Sequence, residues 1–409
     1  MDDKHELRLR RKAIRLLLKG AKPSDILRTI YRGRTWLAKW RIRFEGLGFG
    51  GLKSQSRRPH RTPTAYASRL VRLIVQTRRR LVKQKVGLIG PGAIHRELSK
   101  LRLGRHTPSL TTIKRVLRAE GLVDTGDDPP PAYFAMPRIM LTGTIHALDW
   151  TCRYLEEGLK VYAFHTLNLR TRACHQTIAG DKSGETVVTH ILDTWKTLGI
   201  PHFLQLDNDA AFCGGYKAPR VFGQFVRLCL YVGVELIFLP VAEPEHNGEV
   251  EQLNGLWAHA FWERRRFGAF SHVQRASPAF VKWYLTNYAP PYLNGRTPTQ
   301  AQRAEPRRRL TAAHIARLPA QLPITAGHLH FIRQVRLNGT ITLLNETWKV
   351  SKRLAGKYVW ATITTHRRQL DIWYQRSARH DWQLRKTFAY DIRETVARLR
   401  PEFTRPTTT

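Results

Sequence analysis

Three acids carry the chemistry open to this chain. Asp149 sits inside the alternating run "TIHALDWT", Asp207 follows the apolar "HFLQL" in "LDNDAAF", and Glu251 lies just after "EHNGEV" at the start of an amphipathic stretch. Burying a carboxylate is expensive unless it is paired, so acids on apolar segments call for a cationic partner. Carboxylate oxygens are the hard ligands that Mg²⁺ or Mn²⁺ takes. Two such ions about 3.5–4 Å apart can activate an attacking oxygen and stabilise a leaving one during in-line displacement at phosphorus. The chemistry expected of Asp149, Asp207 and Glu251, as catalytic residues and metal ligands together, is phosphodiester cleavage or transfer.

The surrounding pattern can bring these acids together. "TIHALDWT", "KVYAFHTLNL" and "RACHQTIAG" read as strands, followed by the amphipathic helix "SGETVVTHILDTWKTLG". "HFLQL" and "VELIFLP" read as further strands around the helix "RVFGQFVRLCLYVG", and a last helix runs from about Glu249 to Arg264, Arg265 and Arg266. Three strands followed by alternating helices and strands predict a mixed sheet with helices on its faces. Asp207 reaches Asp149 only if the fourth strand lies beside the first. On the last helix Val250, Leu253, Trp257 and Phe261 form the apolar face, which turns Glu251, Asn254 and Ala258 to another side.

Charge divides the chain. It has 409 residues with 69 Lys+Arg against 31 Asp+Glu, a formal net charge of +38. Residues 141–300 hold 15 basic and 14 acidic residues, so nearly all the excess lies in the flanks. Such flanks attract a polyanion. No apolar run approaches the roughly 20 residues of a spanning helix, and the N-terminus lacks a signal peptide's apolar segment. The expectation is a cytoplasmic, nucleoid-associated protein with double-stranded DNA and no membrane as partner. Cys152, Cys174, Cys213 and Cys229 form no C-x-x-C pair, so reduced thiols and no structural zinc are expected.

The front reads as two trios of short helices. In residues 8–45 the third helix, with Arg34, Lys39, Arg41 and Arg43, has the place of a recognition helix. "ASRLVRLIVQTRRRLVK", "GAIHRELSK" and "PSLTTIKRVLRAEG" repeat the pattern, with Lys114, Arg115 and Arg118 on the third. Between the trios, "GFGGLKSQSRRPHRTP" reads either as a solvated linker or as an arm that lays Arg57, Arg58 and Arg61 in the minor groove. "VDTGDDPPPAYFAMPR" is a second linker, because three consecutive prolines stop any helix. The end is β-rich, with Asn338-Gly339 as a hairpin turn, and suggests a small barrel or open sandwich.

These segments resemble one family. "LDW", "LDNDAAF" and "EHNGEVEQLN" are similar to the three acidic motifs of the DDE transposase and retroviral integrase superfamily, in the branch of small bacterial insertion sequences. "RFEGLGFGGLKSQSRRPHRTP" looks like the segment joining the paired helix-turn-helices of those transposases, and "YLNGRTPTQ" like the end of their catalytic core. The resemblance implies a ribonuclease-H-like core, two Mg²⁺ (or Mn²⁺) ions per active site and binding to terminal inverted repeats and target DNA. It also implies strand transfer by a DNA 3′-hydroxyl, and a homodimer or higher multimer on DNA; a partner ATPase occurs in some related systems. Glu243, Glu245 and Glu249 compete with Glu251 for the third position, and the family's G-x-V-E pattern selects Glu251. Asp209 stands where the family usually has Gly, as a fourth ligand or a perturbing like charge. Gly255 and Ala258 stand where retroviral relatives carry DNA-touching lysines, which leaves that work to Arg264, Arg265 and Arg266, unless these only favour the helix's C-terminal end. Other readings are a nuclease or resolvase on the same fold, and a DNA-binding regulator that has lost its chemistry.

The expected organisation is multidomain: a helix-turn-helix domain (1–47), a basic linker (48–65), a second helix-turn-helix domain (66–122) and a Pro-rich linker (123–140). An α/β ribonuclease-H-like core (141–300), a linker (301–325), a small β-barrel (326–400) and a tail (401–409) follow.

Overall fold

The computed structural model describes residues 3–54, 68–101, 107–122, 143–213, 220–240, 247–377 and 379–404. Two compact units divide the chain, residues 1–70 and 71–409.

The first unit holds α1 (Asp3–Leu18), α2 (Pro23–Ile30), α3 (Arg34–Leu47) and a 3-10 turn at Gly48–Leu52. Pro23 opens α2, where its missing N–H costs nothing, and Tyr31 ends it in the left-handed region at φ 53°. Ala13, Ile14, Ile26, Ile30, Leu37, Trp40 and Leu52 form the core. Arg10 closes it: its guanidinium stacks 3.9 Å from the Trp40 ring centroid and donates to the Leu52 carbonyl at 3.1 Å.

The second unit begins within α4 (Ser68–Lys83), followed by α5 (Pro91–Lys100) and α6 (Leu110–Ala119), whose N-cap Ser109 accepts from the Thr112 amide. Then come β1 (Ile145–Tyr154), β2 (Lys160–Asn168), β3 (Cys174–Ala179), α7 (Gly184–Thr197), β4 (Phe203–Leu206), the short α8 (Ala210–Cys213), α9 (Gln224–Tyr231), β5 (Glu235–Phe238), α10 (Gly248–Ala260) and α11 (Phe270–Asn287). β1, β2 and β3 are antiparallel neighbours, while β4 runs parallel to β1 and β5 parallel to β4. This is the expected mixed sheet, with Asp207's strand beside Asp149's. One face packs Leu148 and Phe164 against α7 and α9 through Val187, Ile191, Trp195 and Phe225. The other packs Ala147, Val161 and Ala163 against α10 and α11 through Val250, Trp257 and Phe280.

The C-terminal segment differs from the separate barrel expected over 326–400. After the short α12 (Pro298–Arg303) and α13 (Ala312–Ala316) come β6 (Ile324–Thr325), β7 (His328–Gln334), β8 (Thr340–Leu343), β9 (Glu346–Lys349), β10 (Tyr358–Thr364), β11 (Gln369–Tyr374), β12 (Gln383–Ala389) and β13 (Val396–Ala397). β7 pairs in parallel with β5, and the sheet runs β12-β11-β10-β7-β5-β4-β1-β2-β3. A short parallel strand is stable only when its edges and faces are covered, and β7 covers β5. Phe331 of β7 stacks on Phe238 of β5 with centroids 4.8 Å apart, and one apolar cluster continues from Leu148 to Ile372. The antiparallel meander of β7, β10, β11 and β12 is thus continuous with the core sheet. A turn forms at Asn338-Gly339, with Gly339 at φ 83°, but the strands it joins are not a hairpin: β8 pairs with β9, and β7 with β5 and β10.

The first three helices of this unit lean on the core. The turn after α4 donates from the Gly87 amide to the Ala260 carbonyl at 2.9 Å. Gly87 is at φ 124° with the Trp283 ring 3.2 Å from where a Cβ would stand, so only glycine fits. Among the described residues no helix is long and apolar enough to cross a membrane.

Candidate active site

Asp149 faces α10. Along β1 its neighbour Leu148 enters the α7 side of the core and Ala147 the α10 side, so alternation turns Asp149 toward α10 with Ala147. There Asn254 Nδ2 donates to Asp149 Oδ2 at 2.7 Å. Burial first, opposed by a hydrogen bond from the backbone of Trp150 and reinforced by the charges of Asp207 and Glu251, pushes Asp149 up to about 7. The charges of Asp207 and Glu251 both act on Asp149, so two of the acids singled out from sequence lie within electrostatic reach of the third.

Asp207 follows β4 on the loop into α8. Its Oδ1 accepts from the Asp209 amide at 3.0 Å, and it is raised above the ordinary carboxylate range by burial, despite that hydrogen bond, with the Asp209 charge adding to the rise and Lys182 opposing it. Asp209 is therefore a perturbing neighbour of Asp207. It is itself engaged: Oδ1 accepts from the Ala211 amide and Oδ2 from Lys182 Nζ at 2.7 Å. Lys182 also lies 4.2 Å from the ring centroid of Trp150, the residue after Asp149.

Glu251 is carried by α10, whose start is anchored where Gln205 of β4 donates to Asn247 at 3.2 Å. The apolar face Val250, Leu253 and Trp257 is buried as its spacing predicts. Glu249 points elsewhere, 3.7 Å from Arg172 Nη2. Glu243 and Glu245 lie outside the described residues, as do most of "CGGYKAPR" and the linker 123–140. Ala258 is buried.

The donor set is chemically right for a hard divalent cation: carboxylates whose mutual repulsion and burial favour a proton until a cation replaces it. Among the described residues no three His, Cys, Asp or Glu side chains form a ready-made metal cage. That is compatible with Mg²⁺, which keeps several waters and uses one or two carboxylates plus substrate phosphates.

The cationic candidates separate. Arg34, Lys39 and Arg41 on α3 are exposed, whereas Arg43 is half-buried 5.1 Å from the Trp40 centroid. Lys114, Arg115 and Arg118 on α6 are exposed. Arg57, Arg58 and Arg61 lie outside the described residues. Arg264 does not cap its own helix: Nη2 donates to the Leu81, Val82 and Gln84 carbonyls, at 2.9, 2.8 and 2.8 Å, the C-terminal end of α4. Arg265 Nη2 donates to the Lys85 carbonyl at 3.1 Å, and Arg266 is exposed, 3.6 Å from Glu156. The helix-terminal affinity of cations explains Arg264, with the recipient helix supplied by tertiary packing.

Sequence reading missed Lys182, His165 and Arg333, all of which touch residues beside the acids. Arg333, buried in β7, donates to Asn208 Oδ1 at 2.6 Å, next to Asp207. A buried polar residue in an otherwise apolar strand was the available signal in "HFIRQ" and "AFHTLN".

Residues 23–80 match a family model described as the leucine-zipper of insertion element IS481. Here the described part of that match is α2, α3, the 3-10 turn and most of α4, interrupted at Tyr31 and Gly48. No curated protein matches the chain. Among solved structures, the HTLV-2 integrase catalytic core domain in complex with magnesium is 17% identical at a TM-score of 0.31, covering 40% of this chain and 99% of that one. The simian T-cell lymphotropic virus intasome in complex with PP2A regulatory subunit B56 gamma is 14% identical at 0.35, covering 73% and 97%. The catalytic core domain of BIV integrase is 16% identical at 0.29, covering 38% and 91%. The insertion-element match lies wholly in the front of the chain, apart from the acidic motifs of the middle.

Proposed function

We propose that the chain is a DNA transposase that binds the ends of its element and catalyses divalent-metal-dependent cleavage and strand transfer. One observation carries the reading: in the near-neutral middle of a chain of net charge +38, Asp149 is pushed up to about 7 by burial and by the charges of Asp207 and Glu251. The strand order β3-β2-β1-β4-β5, with the acids on β1, after β4 and on α10, supports a ribonuclease-H-like core.

In this reading Asp149, Asp207 and Glu251 would hold two Mg²⁺ or Mn²⁺ ions, which when bound supply the charge that activates a 3′-hydroxyl and stabilises the leaving oxygen. Asn254 holds Oδ2 of Asp149 and so fixes how the carboxylate is presented. The Asp209 amide holds Oδ1 of Asp207. Glu251 rather than Glu249 completes the set, because Glu249 is turned to Arg172. Exposed Lys114, Arg115 and Arg118, with Arg34, Lys39 and Arg41 of the first unit, would meet phosphates of the element ends and the target, as tandem helix-turn-helix modules do. Joining two ends requires a dimer or higher multimer.

The test is joining of a DNA 3′-hydroxyl end to target DNA by the purified protein with Mg²⁺, wild type against Asp207→Asn. Joined products lost in the variant support the proposal. Equal activity of the two proteins overturns it, and cleavage without joining points to a nuclease.

A further inference from the structure

Asp149 stands at the end of a four-residue hydrogen-bond relay. Asn254 donates Nδ2 to its carboxylate, at 2.7 Å, so Asn254 Oδ1 faces the other way and meets His165 Nδ1 at 2.6 Å. An amide oxygen only accepts, so His165 carries its proton on Nδ1. Its Nε2 is then a lone pair, and Gln176 Nε2 donates to it across 2.7 Å. Gln176 Oε1 in turn accepts from Ser277 Oγ. Every donor points toward Asp149, and each member fixes the orientation of the next.

The relay crosses the fold at a well-placed register. His165 is directly opposite Asp149 in the β1–β2 ladder, and Gln176 opposite His165 in the β2–β3 ladder. His165 is fully buried, held edge-on between the rings of Trp257, at 5.8 Å, and Phe280, at 6.4 Å. An imidazole in that slot could be replaced by a phenyl ring on packing grounds alone. What the phenyl ring lacks is the Nδ1–H.

We infer that His165 is a positioning residue for Asp149: acting through Asn254, it keeps the amide N–H on Oδ2 and so presents the carboxylate to a divalent ion in one orientation. The inference rests on the proposed metal-dependent reaction. Outer partners that orient a ligand typically change metal affinity by about 10- to 100-fold when removed.

Two substitutions separate positioning from packing. His165→Phe fills the slot without a donor, whereas His165→Asn places an amide N–H where Nδ1 was but leaves a cavity between Trp257 and Phe280. The expected result is an inversion. His165→Phe leaves Asn254 Oδ1 and Gln176 Nε2 without their partner but fills the slot, so it melts above His165→Asn, yet it needs about tenfold more Mg²⁺ for half-maximal strand transfer and binds Mn²⁺ correspondingly more weakly in calorimetric titration of the full chain. His165→Asn melts lower yet keeps a metal response close to the wild type. A metal response that follows thermal stability, or an unchanged response in His165→Phe, overturns the inference. Failure of the wild type to join DNA would overturn the transposase reading, and the Mn²⁺ titration would still decide the role of His165.

Discussion

Arg333 Nη2 donates to Asn208 Oδ1 at 2.6 Å, so a strand more than a hundred residues away in sequence holds the residue beside Asp207. The same guanidinium donates to the carbonyls of Leu239 and Ile332, both at 2.8 Å, and of Thr342 at 3.1 Å. Asn208 Nδ2 donates to the Leu239 carbonyl as well. Arg333 thus ties β7, the end of β5 and the loop of Asp207 together. Arg333→Met should leave several buried carbonyls without donors and destabilise the fold by about 3 kcal/mol or more, read as a lowered denaturant midpoint. Joining activity should fall further than the folded fraction, because Asn208 loses its anchor. A variant as stable as the wild type would show that these carbonyls find other donors.

Because β7 covers β5, the catalytic segment should not fold alone. A fragment of residues 141–300 exposes the β5 edge and the Phe238 face that Phe331 covers. Expressed by itself it should aggregate or lack near-ultraviolet dichroism, whereas residues 141–404 should be soluble and cooperative. A well-folded, cooperatively melting 141–300 fragment would mean that the continuation of the sheet is dispensable.

The contrast between what could and could not be read in the sequence has a physical basis. Asp149, Asp207 and Glu251 were legible because strand alternation and helical spacing fix which side of an element a residue faces, and a charge among apolar neighbours stands out. The pairing of β5 with β7 was not, because about 90 residues separate their contacting positions and periodicity names no partner for an edge. Arg264 shows the same limit: its charge suits a helix C-terminus, but that the helix is α4 and not α10 depends on packing. His165 and Gln176 read as polar positions in strands, and only the ladder registers align them with Asp149. The turn between β8 and β9, with Leu344 and Asn345 both at positive φ, has an unfavourable leucine where Gly or Asn is the usual signal.

The two groups of cations should answer differently to salt. Replacing exposed Lys114, Arg115 and Arg118 by Ala should weaken DNA binding and flatten the slope of log affinity against log salt by about 2 to 3, since each phosphate contact adds roughly 0.9. Arg264→Ala removes three hydrogen bonds to the end of α4. It should lower the melting temperature and expose α4 amides to hydrogen exchange while leaving the salt slope nearly unchanged. A slope that drops with Arg264→Ala and not with the α6 variant would exchange their roles.

The raised proton affinity of Asp149 sets a pH dependence with a definite sign. In the folded chain its carboxyl is pushed up to about 7, against an ordinary value of 3.8 when unfolded. Between those values the unfolded chain binds fewer protons than the folded one, so this group's contribution is full below about 4 and is lost as pH rises through about 7. Without divalent metal, the wild type should therefore lose more thermal stability between pH 5 and pH 8 than Asp149→Asn, which has no proton to release there. Comparing the two proteins cancels the general effect of the +38 charge. Mg²⁺ would bind the ionised form alone, so adding it at pH 8 should restore stability to the wild type and far less to the variant. Melting curves at both pH values, with chelator and then with Mg²⁺, make the measurement. Equal losses in the two proteins would mean that Asp149 is already ionised when folded, and that the acids at this site do not press on one another.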